Sequence, residues 1–141
     1  MTVLIAGLGL LGGSLALALK EQGVRVLALG RNQERLDKAA RAGLVDGCAT
    51  APEAVAPEAD LVVIGTPVGS IPGTAEQLLP FLRPGTVITD MGSTKEWVCN
   101  NLTRICRGSG VAFVGSHPMA GSEKTGFEHA RADLFREAVV V

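Results

Sequence analysis

The chain has 141 residues, of which 13 are basic and 14 acidic, so its formal net charge is −1. This length is enough for one domain with one hydrophobic core. The near-neutral charge without a basic run excludes a typical nucleic-acid-binding protein, and no apolar stretch approaches the roughly 20 residues of a membrane span. The three cysteines form no CxxC pair, so neither a disulfide framework nor a metal site is predicted. Because the N-terminus lacks the pattern of a signal peptide, we expect a cytoplasmic protein.

Short apolar runs and helix-periodic segments alternate along the chain. The apolar runs predict strands at 3–6, 24–29, 61–64, 87–89 and 111–114. The periodic segments predict five helices. The first begins at residue 11 and ends at a glycine C-cap at 23, and the second covers 33–42 with Asn32 as its N-cap. The others are predicted at 70–79, 95–107 and 128–135. Segment 44–60 is expected to hold a short strand and a short helix. This alternation predicts an α/β fold with a doubly wound parallel sheet, of the Rossmann type, formed by residues 1–141 as one domain.

The C-terminal run Val139-Val140-Val141 is typical of a strand. Because no polar segment follows it, we expect the sequence to be part of a longer chain.

A glycine-rich turn follows the first predicted strand. Its sequence, Gly7-Leu8-Gly9-Leu10-Leu11-Gly12, matches G-x-G-x-x-G between a buried strand and an amphipathic helix. In dinucleotide-binding proteins the first glycine permits the tight turn, the second lets the backbone approach the pyrophosphate, and the third allows close packing of helix and strand. We therefore predict that residues 7–12 bind a dinucleotide; the alternative is an ordinary turn with packing glycines.

The end of the second strand bears on which dinucleotide binds. An NAD site usually carries an acidic residue there for the ribose hydroxyls, whereas this chain has Gly30-Arg31-Asn32. The planar guanidinium of Arg31 would pair with a 2′-phosphate. The sequence therefore favours NADP over NAD, unless Arg31 is only a solvated surface arginine.

Three more loops follow predicted strands, at the edge where open α/β sheets bind ligands. They are Gly65-Thr66-Pro67-Val68, residues 90–95 and residues 115–124. We expect Thr66 and Pro67 to contact the cofactor. His117 is a candidate general base, or a loop histidine that only satisfies a backbone carbonyl. Ser93 is a second candidate, although Ser93-Thr94-Lys95-Glu96 also fits a capping box for the next helix.

Together these motifs resemble the prephenate/arogenate dehydrogenase family of tyrosine biosynthesis. The resemblance rests on residues 7–16, 65–68 and 90–95 and on the segment Gly-Ser-His-Pro-Met-Ala-Gly-Ser-Glu-Lys-Thr-Gly at 115–126. The His-Pro-Met-Ala-Gly part is more specific than the glycine turn. The four blocks occur in the order of the family's N-terminal nucleotide domain.

The resemblance implies oxidative decarboxylation of prephenate to 4-hydroxyphenylpyruvate, with hydride transfer to NADP or, as the alternative, NAD. His117 matches the family's histidine that contacts the substrate 4-hydroxyl and acts as base, and Ser93 matches the serine that positions this hydroxyl and the nicotinamide. Glu123 matches a glutamate of the prephenate-using branch and is expected on the substrate side together with Lys124, unless Lys124 is only a surface charge. The presence of Arg31 in place of an acidic residue resembles the NADP-using members of the family.

Two other functions compete with this one. The first is an arogenate dehydrogenase, which converts arogenate to tyrosine with NADP. The second, from a different class, is a non-catalytic dinucleotide-binding module that senses redox state; such a module needs neither His117 nor Ser93 at strand ends.

The family's second, helical domain forms its homodimer and supplies an arginine that binds the substrate carboxylate. The sequence contains no such segment. Residues 1–141 alone are therefore expected to bind cofactor but to turn over substrate poorly.

Overall fold

Six parallel strands form one sheet in the computed structural model, which describes residues 1–119, 126–136, 138 and 140. The strands are β1 (Thr2–Ala6), β2 (Arg25–Leu29), β3 (Gly47–Ala49), β4 (Leu61–Ile64), β5 (Val87–Asp90) and β6 (Ala112–Val114). Their spatial order is β3-β2-β1-β4-β5-β6, with every neighbouring pair parallel. The predicted doubly wound parallel sheet of the Rossmann type is confirmed.

Four helices cover the two faces of this sheet. They are α1 (Leu10–Glu21), α2 (Gln33–Arg41), α3 (Ile71–Leu78) and α4 (Lys95–Cys106). The central strand β1 shows how the faces are divided, because Ile5 lies in one buried cluster with residues of α1 and α2. Its neighbour Leu4 lies in the other cluster, with residues of α3 and α4. Burial on both faces explains why the strands are continuous apolar runs rather than alternating ones.

Most predicted boundaries agree with the structure to within one or two residues. Asn32 caps α2 as predicted, since its side-chain oxygen accepts a hydrogen bond from the N–H of Arg35 at 3.0 Å. Segment 44–60 contains β3 and two 3₁₀ turns, Pro52–Ala54 and Ala56–Glu58. Further 3₁₀ turns lie at Val68–Ser70 and Leu79–Phe81.

The predicted helix at 128–135 is wrong. A 3₁₀ turn forms at Phe127–His129, and the backbone then becomes extended at Ala130. The reason is a tertiary contact, because the N–H of Arg131 donates to the buried hydroxyl of Ser14 in α1 at 3.0 Å. The segment is held against α1 instead of continuing a helix of its own.

The predicted strand at the C-terminus falls mostly outside the described residues. Of its three valines only Val140 is described, and it forms an isolated antiparallel bridge with Pro118.

Within the described residues, no helix has both the length and the apolar character that crossing a membrane requires. Cys48, Cys99 and Cys106 are free thiols. In the same part of the chain, no three His, Cys, Asp or Glu side chains are grouped so that they could hold a metal ion.

Candidate functional site

A cleft of about 680 Å³ opens at the carboxyl ends of β1, β2 and β4. Its walls include the backbone of Gly7 and Leu8 after β1, Gly30 and Arg31 after β2, and Thr66 after β4. The strand order reverses at this point, since β1 lies between β2 and β4. Ligands of open α/β sheets bind at such a switch point, so the fold places the cleft where a dinucleotide is expected.

The glycine turn lines this cleft with Gly7 and Leu8 and then leads into α1. Gly7 has a φ of +105°, and a Cβ there would come within 2.8 Å of the backbone of Gly65 and Thr66. A Cβ on Gly12 would collide with the carbonyl oxygen of Gly7, whereas a Cβ on Gly9 would meet no atom within 4 Å. The tight turn predicted at Gly7 and the close packing of helix and strand predicted at Gly12 are therefore observed, and the space beside Gly9 is open.

The start of α1 leaves hydrogen-bond donors available at this turn. Its N-cap is Gly9, which has no side chain to accept a bond from the first-turn N–H groups. Leu10 and Leu11 form the half-buried beginning of the helix. Unpaired N–H groups at the positive end of a helix suit a phosphate.

Thr66 provides an independent test of whether a dinucleotide fits the cleft. Its hydroxyl oxygen is buried and finds no hydrogen-bond partner in the described part of the chain. Because buried polar atoms are normally paired, this hydroxyl in the cleft wall is available to bind a polar ligand. The adjacent Pro67 is exposed, begins the turn Val68–Ser70 and does not line the cleft.

Two arginines line the cleft beyond the end of β2. Arg31 is exposed, and none of the ion pairs among the described residues includes it. Arg35, in the first turn of α2, pairs instead with Glu128, and its guanidinium carbon lies 4.8 Å from the centre of the Phe127 ring. The N–H of Glu128 itself and the Arg35 guanidinium lower the pKa of the Glu128 carboxyl below its usual value.

An ion pair with a fully buried carboxylate and a half-buried lysine connects the loops that follow β5 and β6. Asp90, which is fully buried at the end of β5, pairs with Lys95 at the start of α4. The Asp90 carboxylate also accepts hydrogen bonds from the N–H groups of Gly92 at 2.8 Å and Ser116 at 3.2 Å. Lys95 donates a second bond to the carbonyl oxygen of Ser116 at 2.6 Å. The network therefore fixes the two loops that carry Ser93 and His117 relative to each other.

Ser93 and His117 occupy these two loops. The Ser93 side chain is exposed and His117 is half-buried. The capping-box alternative for Ser93 is wrong, because α4 has Thr94 as its N-cap residue and no side-chain hydrogen bond caps it. Lys95, the first residue of that helix, is instead bound to Asp90.

Some of the predicted site lies outside the described residues, and some observed residues were not predicted. Glu123 and Lys124 belong to the residues that the structure does not describe. The sequence patterns did not predict that Asp90, Lys95 and Ser116 bind one another. The signal that could have indicated the ion pair is an acidic residue at a strand end with a lysine five residues later.

The chain is similar to proteins of one enzyme family. A family model described as the nucleotide-binding domain of prephenate dehydrogenase matches residues 15–141. A prephenate dehydrogenase of Lactococcus lactis is 36% identical over 141 residues, which span 99% of this chain and 40% of that protein.

Solved structures of such enzymes are also similar to this chain. The crystal structure of Synechocystis arogenate dehydrogenase has a TM-score of 0.92 and 31% identity over 99% of this chain and 49% of that one. A prephenate dehydrogenase of Aquifex aeolicus, solved with hydroxyphenyl propionate and NAD⁺, has a TM-score of 0.89 and 32% identity, again over 99% and 49%. The chain thus spans less than half the length of these three relatives.

Proposed function

The chain belongs to the prephenate dehydrogenase family as its nucleotide-binding domain, and from this membership we propose that it is the cofactor-binding part of a prephenate dehydrogenase. The enzyme oxidises prephenate to 4-hydroxyphenylpyruvate with loss of CO₂, and it acts in the cytoplasm. A second domain binds the substrate carboxylate and forms the homodimer.

The observation that carries this proposal is the arrangement of the strand ends. The cleft with the glycine turn lies at β1, β2 and β4, and β5 and β6 follow β4 in the sheet. The start of the loop after β5 is bound to the end of β4, since the N–H of Met91 donates to the carbonyl oxygen of Ile64 at 3.1 Å. The Asp90 network then joins the β5 loop to the loop of His117. Cofactor cleft and candidate catalytic loops therefore form one continuous edge.

Each side chain at this edge has a defined task in the proposed reaction. A bound dinucleotide would supply the hydride acceptor for oxidation of the ring carbon that bears the substrate hydroxyl. His117, as neutral imidazole, accepts the proton of that hydroxyl, which favours departure of the hydride. Ser93 hydrogen-bonds the same oxygen and orients it. Asp90 and Lys95 act as positioning residues because they hold both loops.

We assign the cofactor as NADP, with NAD as the alternative. The support is Arg31, whose guanidinium lies at the cleft wall without a described acidic partner and suits a 2′-phosphate. Gly7, Leu8 and Thr66 line the cleft wall and would hold the rest of the dinucleotide. Gly9 and the first turn of α1 would bind the pyrophosphate.

Replacing the histidine tests the catalytic assignment. In the protein that carries both domains, His117→Asn is expected to lower kcat with prephenate by about 100-fold or more, because the proton acceptor is lost. The Kd for NADP should change by less than about twofold, because His117 does not line the cleft. Initial rates and calorimetric titration measure the two quantities.

His129→Asn is the matched control, since His129 is exposed and does not line the cleft. It should leave both kcat and Kd unchanged. Normal turnover by His117→Asn would contradict the proposed base. Faster oxidation of arogenate than of prephenate by the wild-type enzyme would favour the arogenate dehydrogenase alternative.

A further inference from the structure

We propose that Arg35 is a second determinant of cofactor choice and that Glu128 sets its strength by competing with the 2′-phosphate of NADP for the same guanidinium. This inference rests on the proposed binding of a dinucleotide in the cleft. The two residues form an ion pair that joins α2 to a segment 93 positions later in the chain.

The placement of Arg35 brings it to the same wall of the cleft as Arg31. Arg31 precedes the N-cap Asn32, and Arg35 lies in the first turn of α2. Both arginines line the cleft. Because a guanidinium pairs with a phosphate through two parallel hydrogen bonds, either arginine suits the phosphate that distinguishes NADP from NAD.

The two arginines differ in what already binds them. Arg35 Nη1 lies 3.1 Å from Glu128 Oε1, and its guanidinium lies over the buried ring of Phe127, which also lines the cleft. Arg31 takes part in none of the ion pairs found among residues 1–119, 126–136, 138 and 140. A phosphate would therefore meet Arg31 directly but would have to displace a carboxylate from Arg35.

This displacement is inexpensive for two reasons. The Arg35 and Glu128 side chains are 48% and 36% exposed, and ion pairs in contact with water are weak. Glu128 also keeps a second cation, because Lys38 Nζ lies 3.8 Å from the same oxygen. The stacking on Phe127 meanwhile holds the guanidinium at the cleft wall while its acidic partner changes.

The consequence is a selective effect of Glu128. The Glu128 carboxylate stays paired with Arg35 when the ligand lacks a 2′-phosphate. It competes with the 2′-phosphate for Arg35 when the ligand carries one. Removal of the carboxylate should therefore strengthen the binding of NADP and leave that of NAD unchanged. The effect should disappear when Arg35 is absent.

Calorimetric titration of this chain with NADP⁺ and NAD⁺ tests the proposal in four proteins: wild type, Arg35→Gln, Glu128→Gln and the double variant. Arg35→Gln should raise the Kd for NADP⁺ about tenfold, and Glu128→Gln should lower it about threefold. Both should change the Kd for NAD⁺ by less than about twofold. In the Arg35→Gln background, Glu128→Gln should have no further effect on NADP⁺.

Arg41→Gln and Glu21→Gln remove the same charges at exposed positions away from the cleft and should leave both affinities unchanged. Melting curves followed by circular dichroism verify that each variant is folded. The proposal is overturned if Arg35→Gln weakens both cofactors equally, or if Glu128→Gln leaves the affinity for NADP⁺ unchanged. A wild-type chain that binds neither dinucleotide contradicts instead the proposed function.

Discussion

Gly9 and Gly12 belong to the same turn but have opposite surroundings. A Cβ on Gly12 would overlap the carbonyl oxygen of Gly7 and lie 3.2 Å from Ile5, inside the contact between α1 and β1. A Cβ on Gly9 would enter empty space beside the start of α1. Gly12 is therefore required by the protein itself, whereas Gly9 is required only if a ligand approaches the backbone.

This difference predicts different effects of alanine at the two positions. Gly12→Ala should lower the free energy of unfolding by about 2 kcal/mol, because a backbone oxygen cannot move aside as a flexible side chain can. Gly9→Ala should leave stability nearly unchanged and weaken the binding of NADP about tenfold or more. Urea denaturation and calorimetric titration measure these effects.

Gly69→Ala serves as the control, since a Cβ there also meets no atom within 4 Å and Gly69 does not line the cleft. It should change neither quantity. Full affinity for the dinucleotide in Gly9→Ala would show that the backbone of the turn does not bind the pyrophosphate.

At the scale of elements, the loops after β5 and β6 depend on one ion pair with a buried carboxylate. Asp90 is fully buried, and Lys95 is the cation that neutralises it. Removing one partner of such a pair leaves an uncompensated buried charge. Lys95→Met keeps most of the side-chain volume and should therefore destabilise the protein by about 3 kcal/mol.

Chemical denaturation of Lys95→Met, of Lys38→Met and of the double variant Asp90→Asn/Lys95→Met tests this expectation. Lys38 is exposed, so Lys38→Met should have little effect. The double variant should recover part of the lost stability, because no unpaired charge remains. A loss of less than about 1 kcal/mol in Lys95→Met would refute the structural role of the pair.

The elements themselves could be predicted from sequence to different degrees. The strands and the helices α1 to α4 follow from hydrophobic period and caps, which are local signals. The helix at 128–135 was wrong because a distant hydroxyl, that of Ser14, binds the backbone of Arg131. The Asp90 network likewise needs β5 and β6 to be neighbours in the sheet, and adjacency of strands is not encoded in local pattern.

In the whole molecule, the strand order separates the cleft from two further loops along one edge of the sheet. β2, β1 and β4 end at the cleft, and β5 and β6 end at the loops of Ser93 and His117. The glycine turn, Thr66, Arg31 and the histidine loop could be identified from the sequence as strand-end features. The separation of the cleft from the loops of Ser93 and His117 along this edge could not, because it depends on the reversal of strand order beside β1.

Calorimetric titration of the wild-type chain and of Arg31→Asp with NADP⁺ and NAD⁺ decides whether Arg31 selects NADP, as we propose. The wild type should bind NADP⁺ at least about tenfold more tightly than NAD⁺, because the guanidinium pairs with the 2′-phosphate. Arg31→Asp should reverse this preference, since its carboxylate repels the phosphate and accepts hydrogen bonds from the ribose hydroxyls. Equal affinities for the two dinucleotides in the wild type, unchanged by the substitution, would contradict the account.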